Sequence, residues 1–122
     1  MKKDEFYKDA RDDLPGPLAG IRVVDATTAW AGPMAACLLA DYGADVIRVA
    51  MPGDTGLNWK PWIGGGNRSF AEETVNRNKR SVSVDLREAA GAETFLTLVA
   101  SADMVIENFK PGTLARWGVG YE

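Results

Sequence analysis

The chain contains no histidine, and its one cysteine, Cys37, has no second thiol to pair with. A Ser-His-Asp or Cys-His site cannot be assembled from these residues alone, and there is no Cys/His cluster for zinc. Acid, base or nucleophilic chemistry falls to carboxylates, lysines and tyrosines. Asp25 ends the apolar run "IRVVDA" (21–26), where it can act as a catalytic carboxylate or cap the loop and helix that follow. "NRNKRS" (76–81) clusters Arg77, Lys79 and Arg80, which can grip phosphates or form an ordinary solvated charge run. Lys110 and Arg116 raise the same question singly. "GGGNRS" (64–69) has the glycines of a phosphate loop but follows no strand and opens no clear helix, so a hinge is the default reading. Cys37 sits within an apolar helical pattern and reads as a buried structural thiol.

The elements around these groups follow from the hydrophobic pattern. "IRVVDA" is β-branched and almost continuously apolar, as a strand buried on both faces should be. "AGPMAACLLADYGADV" predicts a helix with Pro33 in its first turn, Met34, Cys37, Leu38 and Asp41 on one face, and Gly43 as its C-terminal cap. "DVIRVA" (45–50) is a second strand, and the three make a βαβ unit with parallel strands. Residues 51–74 are rich in Gly and Pro yet hold Trp59, Trp62 and Phe70, and read as a long functional or mobile loop. "SVSVDL" (81–86) is a strand with one wetter face, and "REAAGAETFLTLVASA" is a helix presenting Phe95, Leu98 and Val99 together. "DMVIEN" (103–108) is a further strand, and "TLARWG" (113–118) is a helix with Thr113 as N-cap. The pattern βαβ-loop-βαβα predicts an α/β class, a partial Rossmann-like domain with a mainly parallel sheet. It occupies residues 17–122 behind a charged arm, 1–16, with "PGPLAG" (15–20) as punctuation.

In such a sheet ligands gather outside the C-terminal ends of the strands. Those ends are "DATTAWAGP" (25–33), "AMPGDTG" (50–56), "DLR" (85–87) and "ENFKPG" (107–112). The first leads into a helix N-terminus, whose free amides favour an anion, although G-x-G-x-x-G is absent.

The totals exclude several classes. With 122 residues, 46% hydrophobic, 25% charged and a net charge of −3, the chain fits one globular domain with no overall attraction for nucleic acid or an anionic membrane. Its apolar runs fall short of the roughly 20 residues of a membrane-spanning helix. Its charged N-terminus lacks the apolar core of a signal peptide, so the expectation is cytoplasmic.

"PLAGIRVVDATTAWAGPMAACLLADYGADVIRVAMPG", "NRNKRSVSVDL" and "ADMVIENFKPGTLARWGVGYE", in that order, resemble the opening of the family III CoA-transferases, the CaiB/BaiF type. That group includes formyl-CoA transferase, carnitine CoA-transferase and α-methylacyl-CoA racemase. The resemblance implies coenzyme A or an acyl-CoA as ligand and no tightly bound cofactor. Carried over residue by residue, Ala29, Trp30 and Ala31 border CoA, and Val84, Asp85, Leu86 and Arg87 meet its adenine and ribose. Asn108, Phe109 and Lys110 form the corner near the pantetheine, and Arg116 is a cation near the phosphates. Two positions depart from the family pattern: Ala50 stands where an acidic residue is common, and Met51 where some members have a phosphate-binding arginine. Trp30 is bulky for its position and can stack on the ligand or block it.

The same resemblance implies that the aspartate forming the mixed anhydride and then the thioester-linked intermediate lies beyond Glu122. No catalytic residue is therefore assigned, and the isolated chain is expected to be inactive, with partial CoA binding at most. Family members form interlocked dimers completed by their C-terminal segment, which implies a homo-oligomer or a partner chain here. The alternative is a free-standing, non-catalytic oligomeric or nucleotide-binding module of the same descent.

Overall fold

The computed structural model describes residues 14–53, 62–64 and 68–121, together with Lys2, Glu5 and Lys8. Most of the 1–16 arm, Trp59 and the centre of "GGGNRS" lie outside the described residues. Strand β1 (Arg22–Ala26) leads through α1 (Ala31–Asp41) to β2 (Asp45–Ala50). A two-residue antiparallel ladder, β3 (Trp62–Ile63) with β4 (Arg68–Ser69), precedes α2 (Phe70–Asn76) and β5 (Arg80–Ser83). Then come α3 (Ala89–Ala100), β6 (Met104–Glu107) and a single turn, α4 (Thr113–Arg116).

The four longer strands form one sheet in the order β5-β2-β1-β6, every pairing parallel, as the βαβ pattern requires. Val24 lies opposite Ile47 on one side and Val105 on the other. Because side chains alternate along a strand, β1 supplies two cores at once. Val23 joins Val46, Ala36, Ala40 and Ala44 beneath α1. Val24 and Ala26 turn the other way, to Val49, Val84, Leu86, Phe95 and Val119. Phe95, on α3, is 2% exposed and its burial contributes about 2–3 kcal/mol. Leu98 and Val99 pack beside it, as the predicted stripe requires.

Helix α1 packs differently from its predicted stripe. The buried positions are Pro33, Ala36, Cys37 and Ala40, one residue out of phase with the expected set. Leu38 is 47% exposed, and Asp41 turns outward to Arg77. A face of small residues lets the helix lie close over Val23 and Val46, whereas leucine would hold it off. Gly43, at φ 98°, ends the helix as expected.

Two further boundaries differ from the sequence reading. The presumed loop 51–74 contains β3, β4 and the start of α2, with Ser69 at the N-cap and Glu72 and Glu73 in the first turn, where the helix dipole favours them. The cap of α4 is Gly112, at φ 78°, rather than Thr113, which is already the first helical residue and is buried.

Candidate functional site

Parallel pairing brings the C-terminal ends of the four strands to one edge. The α1 crossover covers one face on the way from β1 to β2, and α3 covers the opposite face on the way from β5 to β6. Strand order therefore reverses between β1 and β6, and the crevice outside those two ends is where an open α/β sheet takes ligands.

Two loops are tied together at that crevice. Asn108, just past β6, accepts from the Thr28 N–H through Oδ1 at 2.8 Å and donates through Nδ2 to the Thr28 carbonyl at 2.9 Å. One side-chain amide thus satisfies both backbone groups of a residue in the facing loop. Ala29 follows at φ 58°, a left-handed conformation that costs a non-glycine residue about 1 kcal/mol. Trp30 takes the N-cap position of α1 with its side chain 41% exposed. Ala31 and Gly32 open the helix, with amides that precede its hydrogen-bonded ladder and can meet an anion.

Beneath this loop lies a buried charge cluster. Asp25 and Lys79 form an ion pair at 2.7 Å with side chains 0% and 1% exposed. The Lys79 ammonium also donates to the Pro33 carbonyl at 2.7 Å and to Asn76 Oδ1 at 2.9 Å, which uses its three protons. The other Asp25 oxygen accepts from the Thr27 N–H at 3.1 Å and from the Thr27 hydroxyl. Burial pushes Lys79 below the usual lysine range, and its hydrogen bond to Asp25 opposes that shift. Asn76 gives its carbonyl to Lys79, while its buried Nδ2 lacks a partner among the described residues. Asp25 therefore caps the loop, with both oxygens occupied and its side chain fully buried.

Each cation of the basic run is paired with an acid on another element, Lys79 in the interior and Arg77 and Arg80 at the surface. Arg77 pairs with Asp41, Lys79 with Asp25, and Arg80 makes two bonds to Asp45 at 2.9 and 2.7 Å. Cys37 is buried against α2, its thiol pushed up chiefly by burial, in keeping with a structural role.

Farther along the edge, β5 stops at Ser83, the Val84 N–H still donates to the Ala50 carbonyl at 2.9 Å, and Val84 and Leu86 bury their side chains in the core. Met51 packs against the same cluster, and its sulfur accepts from the Leu86 N–H at 3.4 Å, so it works as core where a phosphate-binding cation was sought. Arg87 closes onto Asp85 through two bonds of 2.8 and 2.7 Å, and this partner holds the Asp85 carboxyl down to about 2. At the β6 corner, Phe109 sets its ring edge-on to Trp117 at 5.2 Å and belongs to the core. Lys110 is exposed, and its ammonium meets no acceptor among the described residues. Arg116 is exposed and touches only the Thr113 hydroxyl, at 3.3 Å, among the described residues.

The fold thus brings the 29–31 loop and Asn108 together, with Lys110 and Arg116 close by in chain. The 84–87 turn follows β5, at the opposite edge of the sheet from β6, while Val84 and Leu86 share a core cluster with Phe109 and Trp117. Sequence reasoning missed Thr28, whose part is played entirely by backbone. Among the described residues no Asp, Glu, Cys or His cluster can hold a metal ion, and no helix is long and apolar enough to cross a membrane.

Residues 18–122 match the family described as CoA-transferase family III. This chain belongs to that family. Among its relatives, the succinyl-CoA–L-malate CoA-transferase beta subunit of Chloroflexus aurantiacus is 45% identical over 109 residues, covering 87% of this chain and 26% of the relative. Human succinyl-CoA:glutarate CoA-transferase is 39% identical over 109 residues, covering 87% of this chain and 24% of its own. The crystal structure of a CaiB/BaiF family protein from Brucella suis superposes with a TM-score of 0.80 at 40% identity, covering 88% of this chain and 30% of that one. The chain spans about a quarter of the length of the curated family III relatives it matches.

Proposed function

We propose that this chain is the CoA-holding part of a family III CoA-transferase, the reactive carboxylate being supplied by residues outside it. The single observation that carries this reading is the tie between Asn108 and Thr28, which sets the strained 29–31 loop and the helix α1 amides at the crevice between β1 and β6. In this reading the pantetheine arm passes residues 29–31 and Asn108, and the phosphates meet Lys110 and Arg116. The adenosine lies against the backbone of residues 84–87, with the paired Asp85 and Arg87 beside it. A ligand with a nucleotide at one end and a thioester at the other suits two contact regions separated along one sheet edge. The chemistry served is transfer of CoA from an acyl-CoA to a carboxylic acid, and this chain contributes by holding and orienting the thioester.

A partner surface fits the same reading. Strands β5 and β6 are the two edges of the sheet, and beside β6 a groove of about 390 Å3 is lined by Leu96, Val99, Val105, Pro111, Leu114 and Tyr121. We infer that further family III sequence, in this or another chain, or a second copy of this one, covers that apolar surface in a cytoplasmic assembly.

Calorimetric titration with CoA and acetyl-CoA at low salt tests the site. Saturable binding is expected, weakened about three- to tenfold by Lys110→Ala or by Arg116→Ala. No binding at ligand concentrations on the order of 1 mM, where only about 4 kcal/mol is required, would refute it.

A further inference from the structure

We propose that Lys79 and Asp25 are positioning residues for the CoA thioester, holding residues 27–30, through Thr27, in the shape the ligand meets. The inference rests on the CoA reading of the crevice and adds to it two residues that never touch the ligand. One ammonium links the end of β1, the first turn of α1 and the end of α2, through Asp25, Pro33 and Asn76. Asp25 passes that constraint on by accepting from both the N–H and the hydroxyl of Thr27. The next residue, Thr28, is clasped by Asn108. The loop is therefore anchored from below at Thr27 and from the side at Thr28, and Ala29 is left to take its left-handed turn between these anchors and α1.

Close packing makes the anchor stiff. A Cβ on Gly32 would stand 2.5 Å from the Thr27 Cβ, so the loop already lies against the helix start. A shift of Thr27 therefore carries the α1 amides with it. A buried ion pair is also a poor means of general stabilisation, since apolar residues of similar volume often do as well. What apolar residues cannot supply is an acceptor directed at the Thr27 N–H.

The double variant Asp25→Leu/Lys79→Met removes both charges together and strands neither. Its folding is followed by circular dichroism, its CoA affinity by calorimetry, and its loop by amide hydrogen exchange. The expected result is a folded protein whose Thr27 and Thr28 amides exchange about tenfold faster and whose Kd for CoA rises about tenfold. Phe95→Leu, which lowers thermal stability in the core, is expected to leave the Kd at the wild-type value. A folded double variant with wild-type Kd and wild-type exchange overturns the proposal. Should the double variant not fold, Thr27→Ala takes its place, with an expected rise in Kd of about threefold, and an unchanged Kd overturns the proposal equally. Failure of the wild-type chain to bind CoA refutes the site itself and any positioning for it. Exchange at Thr27 and Thr28 then still shows whether the pair orders the loop.

Discussion

Replacing Gly91 with alanine sets two physical effects of opposite sign against each other. Gly91 lies in the first turn of α3, where helix propensity alone says alanine should stabilise by about 1 kcal/mol. The packing says the reverse. A Cβ there would lie 1.9 Å from the Asp85 carbonyl oxygen and 2.7 Å from its carbon, both backbone atoms, and 3.3 Å from Val84 Cγ1. No side-chain rotation relieves a contact with backbone, so the helix start or the 84–87 turn must retreat by more than about 1 Å. Overpacking of this kind costs roughly 1–3 kcal/mol, with larger values where backbone has to move. Taking the upper end and subtracting the propensity gain leaves a net loss of about 2 kcal/mol, or a fall in Tm of roughly 8 °C for a domain of this size. Thermal melts followed by circular dichroism, with urea titration alongside, measure it directly. A variant as stable as the wild type, or more so, would mean that α3 does not approach the Asp85 backbone as described. The assigned geometry of the 84–87 turn would fall with it.

Phe95→Ala empties the centre of the core between α3 and the sheet and is expected to cost about 3–5 kcal/mol in urea denaturation. Arg87→Ala should let the Asp85 carboxyl rise from about 2 toward its ordinary 3.8, read by NMR titration. The remaining expectation concerns acid. Asp45 is held below 3.8, first by hydrogen bonds from Arg80 and then by those from Arg22. Its folded pKa is depressed, so the unfolded chain takes up the proton first. The resulting stability is complete above about pH 5 and is lost as the pH falls through the unfolded value and then the lower folded one. Asp45→Asn is expected to flatten this acid limb of the Tm profile, and added salt to shrink the difference, since the pair is part-exposed.

Where local signals agree, the elements follow from the residues alone. The β-branched run at 22–26, Pro33 and Gly43 bracket the first βαβ unit, and period-two alternation accounts for the sharing of β1 between two cores. The phase of α1 did not follow, because hydropathy ranks Leu38 above Ala36, whereas close approach to a sheet needs the smaller side chain. Helix α2 is only seven residues long and buries only Ala71 and Val75. A Gly-rich neighbourhood hides so short a pattern. The basic run stayed open between two readings for a different reason: the acids that pair with it stand 36, 54 and 35 residues away, on other elements. At the site, family resemblance pointed to Asn108, but its partner is the backbone of a residue 80 positions earlier. Spacing carries no trace of a bond made to a peptide group.

The parallel order of the sheet also has a temporal side. Val23 pairs with Val46 on one flank and with Met104 on the other. A ribosome adds about 5–20 residues per second, so on the order of ten seconds separates synthesis of β1 from synthesis of its second neighbour. Through that interval β1, whose Val23 and Val24 end fully buried, stands at the rim of a half-made sheet. Chaperones that shield apolar strand edges should therefore meet this protein as a nascent chain, and release from them should track the emergence of β6.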